Sequence, residues 1–328
     1  MQREIFVISR HDPDFDNRFL ELFNRLGVKT RYFPLRDIRL KNLRLYIEKI
    51  HELRLIPKHA CLILISRIDK HLPMILSTII RLKPRFLLLV IPPDPHHNNS
   101  SKNIALISAV NIGLSRLRAG GTFVMIGYTT PRERMLFGPI LDRYDYIYIP
   151  LYTWKKEKII EEIPIDPPKI LLVAKTINRE HVLKLLSLLR EVEVRPLIII
   201  GLNEKTGGGC NIDPSVVCIV GDMFENIVPK LTAVVVLDTD YKATNILAQA
   251  IGSRRPVITS KNQGLAWVYE DTKLIVYCPS DDPEAVASKI LEVLNNIDRF
   301  KQASLRTEIS PPEPVKTIEY LLGLIDKL

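Results

Sequence analysis

Polar residues able to do chemistry gather just past the apolar runs of this chain. The densest group follows Ala233–Leu237 and reads Asp238-Thr239-Asp240-Tyr241. A carboxylate fixed at a strand end can stabilise positive charge developing in a substrate; the same residues also serve as ordinary loop chemistry. Lys175 and Arg179 follow Ile170–Val173. They read either as a pair of cations for phosphate or as a strand-end cation and a solvated helix cation. Gly201-Leu-Asn-Glu-Lys-Thr-Gly207-Gly208-Gly209 looks like a phosphate loop. It lacks the Gly-Lys-Ser/Thr order and no helical pattern follows, so it is not a Walker motif and reads as a loop. Gly221 closes a further apolar run, Val216–Val220. His96, with His97, stands in a Pro/Asn-rich loop after Phe86–Ile91. No third ligand has a compatible spacing, so no metal centre is expected.

The elements that must position these residues can be read from periodicity. Ala233–Leu237 is too short for a helix and suits a buried parallel strand. Thr244 is the expected cap of a helix with Ile246, Leu247, Ala250 and Ile251 on one face and Gly252 at its end. A strand is expected near Leu274–Tyr277. Asp282 before Pro283 pairs a cap with a first-turn proline, and Val286, Ile290, Val293 and Ile297 form the stripe that follows.

The first half shows the same rhythm. Ile5–Ser9 is a strand, Phe15, Phe19, Leu22, Phe23 and Leu26 mark a helix stopped by Gly27, and Lys29–Phe33 is a strand. A basic helix is expected across Asp37–Arg54, with Leu43, Ile47, Ile50 and Leu53 inward. Arg36, Arg39, Lys41, Arg44 and Lys49 then lie mostly outward. Cys61–Ser66 and Phe86–Ile91 flank a helix over His71–Arg81; Asn103–Arg118 is helical; Thr122–Ile126 and Tyr146–Pro150 are strands. The second half begins after a charged, Pro-rich connector from Trp154 to Lys169. Its expected elements are the strand Ile170–Val173, a helix around Val182–Leu189, the strands Pro196–Ile200 and Val216–Val220, and a last helix over Val315–Leu328. Alternating strands and helices imply parallel sheets with right-handed crossovers.

Composition sets bounds on function. A chain of 328 residues, 46% hydrophobic and 25% charged, accommodates two ordinary domains with their own cores. No apolar run reaches the ~18–20 residues of a membrane span. The first residues lead straight into a strand, so no signal peptide is expected and the cytoplasm is the expected compartment. Cys61, Cys210, Cys218 and Cys278 are scattered and suit buried thiols in a reducing compartment. Residues 1–150 hold 24 Lys/Arg against 13 Asp/Glu, and residues 151–328 hold 22 against 24, so the first half carries the whole net charge of +9. An anionic partner for that half is one reading, with an anionic membrane surface foremost and nucleic acid weakest; a solvated basic face is the other. Aromatic residues are not interleaved with the cations as single-strand binding requires.

From Ala233 onward the chain resembles group 1, retaining glycosyltransferases of the GT-B fold. Asn245-Ile-Leu, Arg255-Pro256-Val257-Ile258-Thr259, Gly264, Glu270-Asp271 and Pro279 through Ala285 follow the family's C-terminal pattern. The family's "Glu, seven residues, Glu" does not recur; counting back from Pro256 places Tyr241 and Gln249 at those positions. A Gly-rich loop after the first strand is also missing, where this chain has Ser9-Arg10-His11-Asp12-Pro13-Asp14.

The resemblance implies two Rossmann-like doubly wound domains facing across a cleft. An acceptor-side domain spans 1–152, a linker 153–168, and a nucleotide-sugar domain 169–328, with the last helix returning to the first domain. It places Lys175 at the first diphosphate cation and Glu180 at the second, with Arg179 next to it, Gly201 close to the nucleotide, Gly221 near the base, and Asn245 and Gln249 near the ribose. Tyr241 falls on the glutamate that faces the transferred sugar, with Asp240 one residue and Asp238 three residues away as a shifted catalytic carboxylate, and His96 or Asp94 stands in for the family's His-Asp pair near the acceptor. It implies no cofactor, since the nucleotide sugar is the donor substrate, and retention of configuration. Three functions stand at this point. The first is a glycosyltransferase acting on an acceptor that is lipid-linked if the basic half meets a membrane. The second is a GT-B scaffold or partner subunit without catalysis, and the third a nucleic-acid binder.

Overall fold

The structure, a computed structural model, describes residues 4–10, 13–35, 48–49, 51–92, 100–152, 162–173, 179–202, 213–220, 224–306, 309 and 312–328. Contacts divide the chain into two units, Met1–Leu151 with Glu313–Leu328, and Tyr152–Pro312.

Unit 1 carries strands β1 (Glu4–Ser9), β2 (Lys29–Pro34), β3 (Cys61–Ile65), β4 (Phe86–Ile91), β5 (Phe123–Tyr128) and β6 (Asp145–Tyr148). Between them run α1 (Pro13–Arg25), α2 (Leu72–Leu82), α3 (Ser100–Ala119) and α4 (Pro131–Leu141). The sheet order is β2-β1-β3-β4-β5-β6, every pairing parallel. All residues of β3 and β4 are buried, as expected of strands covered by helices on both faces. α1 buries Phe15, Phe19, Leu22 and Phe23, and Gly27 ends the turn after it at φ +68°.

Unit 2 runs β7 (Lys169–Val173), α5 (Arg179–Glu191), β8 (Leu197–Leu202), β9 (Val216–Val220), α6 (Phe224–Ile227) and β10 (Ala233–Val236). It continues through α7 (Tyr241–Gly252), β11 (Val257–Ser260), α8 (Gly264–Val268), β12 (Ile275–Cys278), α9 (Pro283–Asn295) and α10 (Ile297–Arg306). Its order, β12-β11-β10-β7-β8-β9, is again wholly parallel. Asp282 caps α9 by accepting from Ala285 N, and Val286, Ile290 and Val293 face the core. Tyr152 and Ile163 belong to the same core. The last helix, α11 (Pro314–Lys327), counts with unit 1, where it packs on α1.

Several local expectations are corrected. Asp240, not Thr244, caps α7; its side chain accepts from Ala243 N, while Thr244 turns its hydroxyl back onto Asp240 O at 2.8 Å. Gly201 is the fifth residue of β8, paired with Ile219, and not part of a loop. α4 was not expected, because Gly138-Pro139 within it reads as a helix stop. Of the expected basic helix over 37–54, residues 37–47 and 50 lie outside the described residues, as does Arg36, while 48–49 and 51–53 are helical and Leu53 is buried as expected. Among the described residues, no helix is long and apolar enough to cross a membrane. Cys61 and Cys278 are buried free thiols.

One polar contact fixes how α1 lies on its sheet. Asp16 is fully buried and accepts from Ser9 Oγ at 2.7 Å and from Tyr32 OH at 2.5 Å, linking α1 to β1 and β2. Removing a donor leaves a buried carboxylate short of hydrogen bonds, at a cost of about 1–3 kcal/mol. Tyr32→Phe is therefore expected to lower the urea midpoint of unit 1. An unchanged midpoint would mean that Ser9 and the remaining neighbours suffice for the carboxylate.

Candidate functional site

The order of the second sheet reverses at β7. From there the chain passes to β8 on one side, and it later returns through β10 on the other. At such a point neighbouring crossovers diverge and leave a crevice outside the carboxyl ends of the strands. β7 and β10 end side by side, with Val173 opposite Val236, and Leu237 N donates to Val173 O at 3.2 Å. The segment Leu237–Asp240 then lies over this end of the sheet and leads into α7.

That segment is pinned by buried polar groups. Gln263, 1% exposed, donates from Nε2 to Asp238 O at 3.1 Å and lies 3.3 Å from Thr244 Oγ1. Thr259 Oγ1 donates to Val236 O at 2.6 Å. The loop is thus held from β11 and the start of α8, while Asp240 holds the first turn of α7. Beside it an apolar cavity is lined by Leu172, Val235 and Leu237 from the strands, and by His181, Asp281 and Pro283 from the starts of α5 and α9. The first turn of α5 and the start of α9 border this cavity, the latter already capped by Asp282 through Ala285 N.

The residues expected to form the site are distributed unevenly. Lys175, Gly221 and His96 lie outside the described residues. Arg179 is the first residue of α5 and Tyr241 the first of α7. Asn245 follows on the next turn, and its buried Oδ1 has no hydrogen-bond partner. Asp240, Tyr241 and Asn245 therefore share the N-terminal end of α7. Gln249 does not: a helix rises ~1.5 Å per residue, which carries it about 12 Å along the axis from Tyr241. It lies in the last turn and is 6% exposed. Thr244 is read in the sequence only as a helix cap, and Gln263, which also shapes the loop, carries no signal there. Gln263 sits between a short strand and a short helix, where no periodicity marks it. Among the described residues no group of three His, Cys, Asp or Glu could hold a metal.

Unit 1 has its own titratable group, at the carboxyl end of β5. Thr130 and Glu133 have the spacing of a capping box at the start of α4, and Thr130 Oγ1 donates to Glu133 Oε2. Glu133 is 2% exposed. Burial pushes its carboxyl up to about 7, against the pull of the Thr130 hydroxyl and the nearby Arg132 guanidinium.

No family model matches the sequence, and no curated protein matches it. Solved structures do. Sucrose-phosphate synthase from Thermosynechococcus elongatus matches with a TM-score of 0.61 at 12% identity, over 92% of each chain. The Anabaena protein Alr3699/HepE, in complex with UDP and glucose, matches at 0.60 and 10% identity over 100% of both chains. WaaG, a glycosyltransferase involved in lipopolysaccharide biosynthesis, matches at 0.57 and 11% identity, over 98% of this chain and 99% of that one. These likenesses establish the fold. The chain has the GT-B fold of these glycosyltransferases over nearly its whole length.

The buried carboxyl of Glu133 should be visible in stability. Its folded value, about 7, lies above the ordinary 4.5, so between those pH values the folded state keeps a proton that the unfolded state has lost. Stability is then greatest at low pH and falls as pH rises through that window, by about 3 kcal/mol in all. Glu133→Gln keeps an acceptor for the capping box and removes the titration. The variant should unfold at a higher temperature than the parent at pH 8, with the difference largely gone at pH 4, below the unfolded value. An equal difference at both pH values would contradict the assignment.

Proposed function

We propose that unit 2 binds the nucleoside diphosphate of a nucleotide sugar, and that the protein transfers the sugar to an acceptor hydroxyl. The observation that carries this reading is the β7/β10 crevice. There β7, which leads to α5, ends beside β10, and the pinned Asp238–Asp240 segment leads into α7 at the carboxyl edge of a doubly wound sheet. The whole-chain likeness to Alr3699/HepE in complex with UDP and glucose supports it.

In the transfer, the bond between the anomeric carbon and the diphosphate oxygen breaks. A bond to the acceptor oxygen forms, and the acceptor's proton leaves. Lys175 and Arg179 neutralise the diphosphate, and the first turn of α5 adds its N–H groups. Gly201, in β8, and Gly221, which follows Val220 in the sequence, let the base approach the backbone. Asn245 offers its unpartnered Oδ1 to a ribose hydroxyl, with Gln249 the second acceptor in this assignment. Asp240 supplies the negative charge facing the anomeric carbon, because Tyr241 carries only a hydroxyl there. His96 belongs to the acceptor side. A protein that binds the nucleotide sugar without turnover is the second reading, favoured by the absence of a carboxylate at both Tyr241 and Gln249.

Calorimetric titration with UDP, GDP and their glucose conjugates tests the reading. One nucleotide should bind saturably, and Lys175→Ala should weaken it by roughly ten-fold or more, the loss of one charge-assisted contact. Asp240→Asn, which still caps a helix, should leave binding intact and slow release of the nucleotide from its sugar. Absence of heat with every nucleotide, or affinity indifferent to Lys175→Ala, rejects the site. Binding without any nucleotide release favours the second reading.

A further inference from the structure

Three helices, α2, α3 and α4, lie side by side on one face of the first sheet, because β3 to β4, β4 to β5 and β5 to β6 are crossovers in one direction. α3 packs against both of the others. Gly113 sets how closely: a Cβ there would fall 3.1 Å from Leu76 Cδ1. The outer surface of these helices lacks charge. From Leu72 to Ile80 in α2, and from Asn103 to Ser115 in α3, the sequence holds no Asp, Glu, Lys, Arg or His. By contrast α1 and α5, of 13 residues each, carry five charged residues apiece. Ala105, Ser108 and Ile112 of α3 are exposed, with Ser77 of α2 and Met135 of α4. Ile112 is 56% and Met135 59% exposed. In α4, Arg132 and Glu133 are buried, and Arg134 turns away over Tyr146 to pair with Asp142 at 2.7 Å. A helix without charge on its outer side is ordinarily covered.

The chemistry of this face narrows what covers it. A charged partner would lose water from its ions and meet no counter-ion. Faces that enter a bilayer are rich in Trp, Phe and Leu, with Lys and Arg along the border. Here the outward residues are mostly Ala and Ser, too small to insert, and the cations Arg116 and Arg118 stand only at the C-terminal end of α3. Small residues instead let a second helix come close. The pattern is self-complementary. With a two-fold axis between Ser108 and Ala109, an antiparallel copy of α3 sets Ile112 over Ala105 of the second copy, a projecting side chain over a small one. The same axis carries the arginines of the two copies to opposite ends of the contact. The uncharged stretch of α3 is about 20 Å long, and three helices ~9 Å apart span about 27 Å. Two copies would then bury on the order of 1,000 Å² in total, the low end of specific interfaces.

We infer that the uncharged outer face of α2, α3 and α4 is a two-fold interface with a second copy of this chain, centred on Ala105–Ile112 and closing a reversible dimer. The inference does not rest on the sugar-transfer reading.

Sedimentation equilibrium of the full chain over roughly 1–200 µM tests it. The parent should pass from monomer to dimer across that range with no larger species, because a two-fold contact closes on itself. Ile112→Lys places a charge in the middle of the face and should weaken the dimer by roughly ten-fold or more. Ala105→Lys, at the opposing position, should do the same and keeps the test readable if the first variant folds poorly; far-UV circular dichroism reports whether each is folded. Leu305→Lys, at a 71% exposed position of unit 2, should leave the dimer unchanged. A chain monomeric at every concentration, a dimer that survives both α3 variants, or one weakened equally by Leu305→Lys overturns the inference. So does a monomer that instead sediments with vesicles of phosphatidylcholine and phosphatidylglycerol and loses them on Ile112→Lys, which assigns the face to a bilayer.

Discussion

Every strand in both sheets runs parallel to its neighbours, and the rest of the molecule follows from that constraint. A parallel ladder needs a long crossover between strands, so each strand is answered by a helix or a long loop, and the sheet is covered on both faces. That is why β3, β4 and β10 are apolar at every position. It also sends all the carboxyl ends of one sheet to one edge, where helices begin and their first N–H groups lack partners. Several buried polar residues sit at those edges, among them Ser9, Ser66, Thr129, Thr130, Thr239 and Gln263. In unit 2 the order reverses between β7 and β10, and only there do the connections part to leave room for a ligand.

Holding such an edge in one shape takes polar contacts that are buried and satisfied. Gln263 and Thr259 fasten the end of β10 from the neighbouring strand, and Asp240 closes the first turn of α7. Asp16 does the same for α1 through Ser9 and Tyr32. Each contact would cost stability if half of it were removed, and each therefore gives the loop it holds one conformation. Glu133 differs in kind. Its carboxyl accepts from Thr130 Oγ1 yet is buried deeply enough to keep its proton near neutral pH, and Arg134, next to it in α4, pairs with Asp142.

Much of the fold was legible in the sequence, for identifiable reasons. Continuous apolar runs announced β3, β4 and β10, and helical spacing with Asp282-Pro283 announced α9. The GT-B resemblance, carried by motifs after Ala233, agrees with the fold found over nearly the whole chain. Local chemistry was harder. Asp240 and Thr244 are both competent caps, and only the loop's tether to β7 and Gln263 selects the first. Gly201 was assigned to a loop because glycines follow it, whereas its pairing with Ile219 keeps it in β8. Gly138-Pro139 hid α4. The Thr130-Pro-Arg-Glu133 spacing was readable as a capping box, but nothing in it announced the depth of burial. For Gln249, matching positions along a sequence does not convey that the pitch of α7 sets it about 12 Å along the axis from Tyr241 and one turn from Asn245.

The central claim is that a nucleoside diphosphate sits at the β7/β10 edge of unit 2. Hydrogen–deuterium exchange of the full chain with and without UDP addresses it directly. The account predicts slower exchange at the amides of 174–181 and 238–245, the two connections that diverge at the sheet reversal, and no change in α3 or α4 of unit 1. Protection confined to unit 1, or exchange unaltered everywhere at saturating UDP, would contradict it.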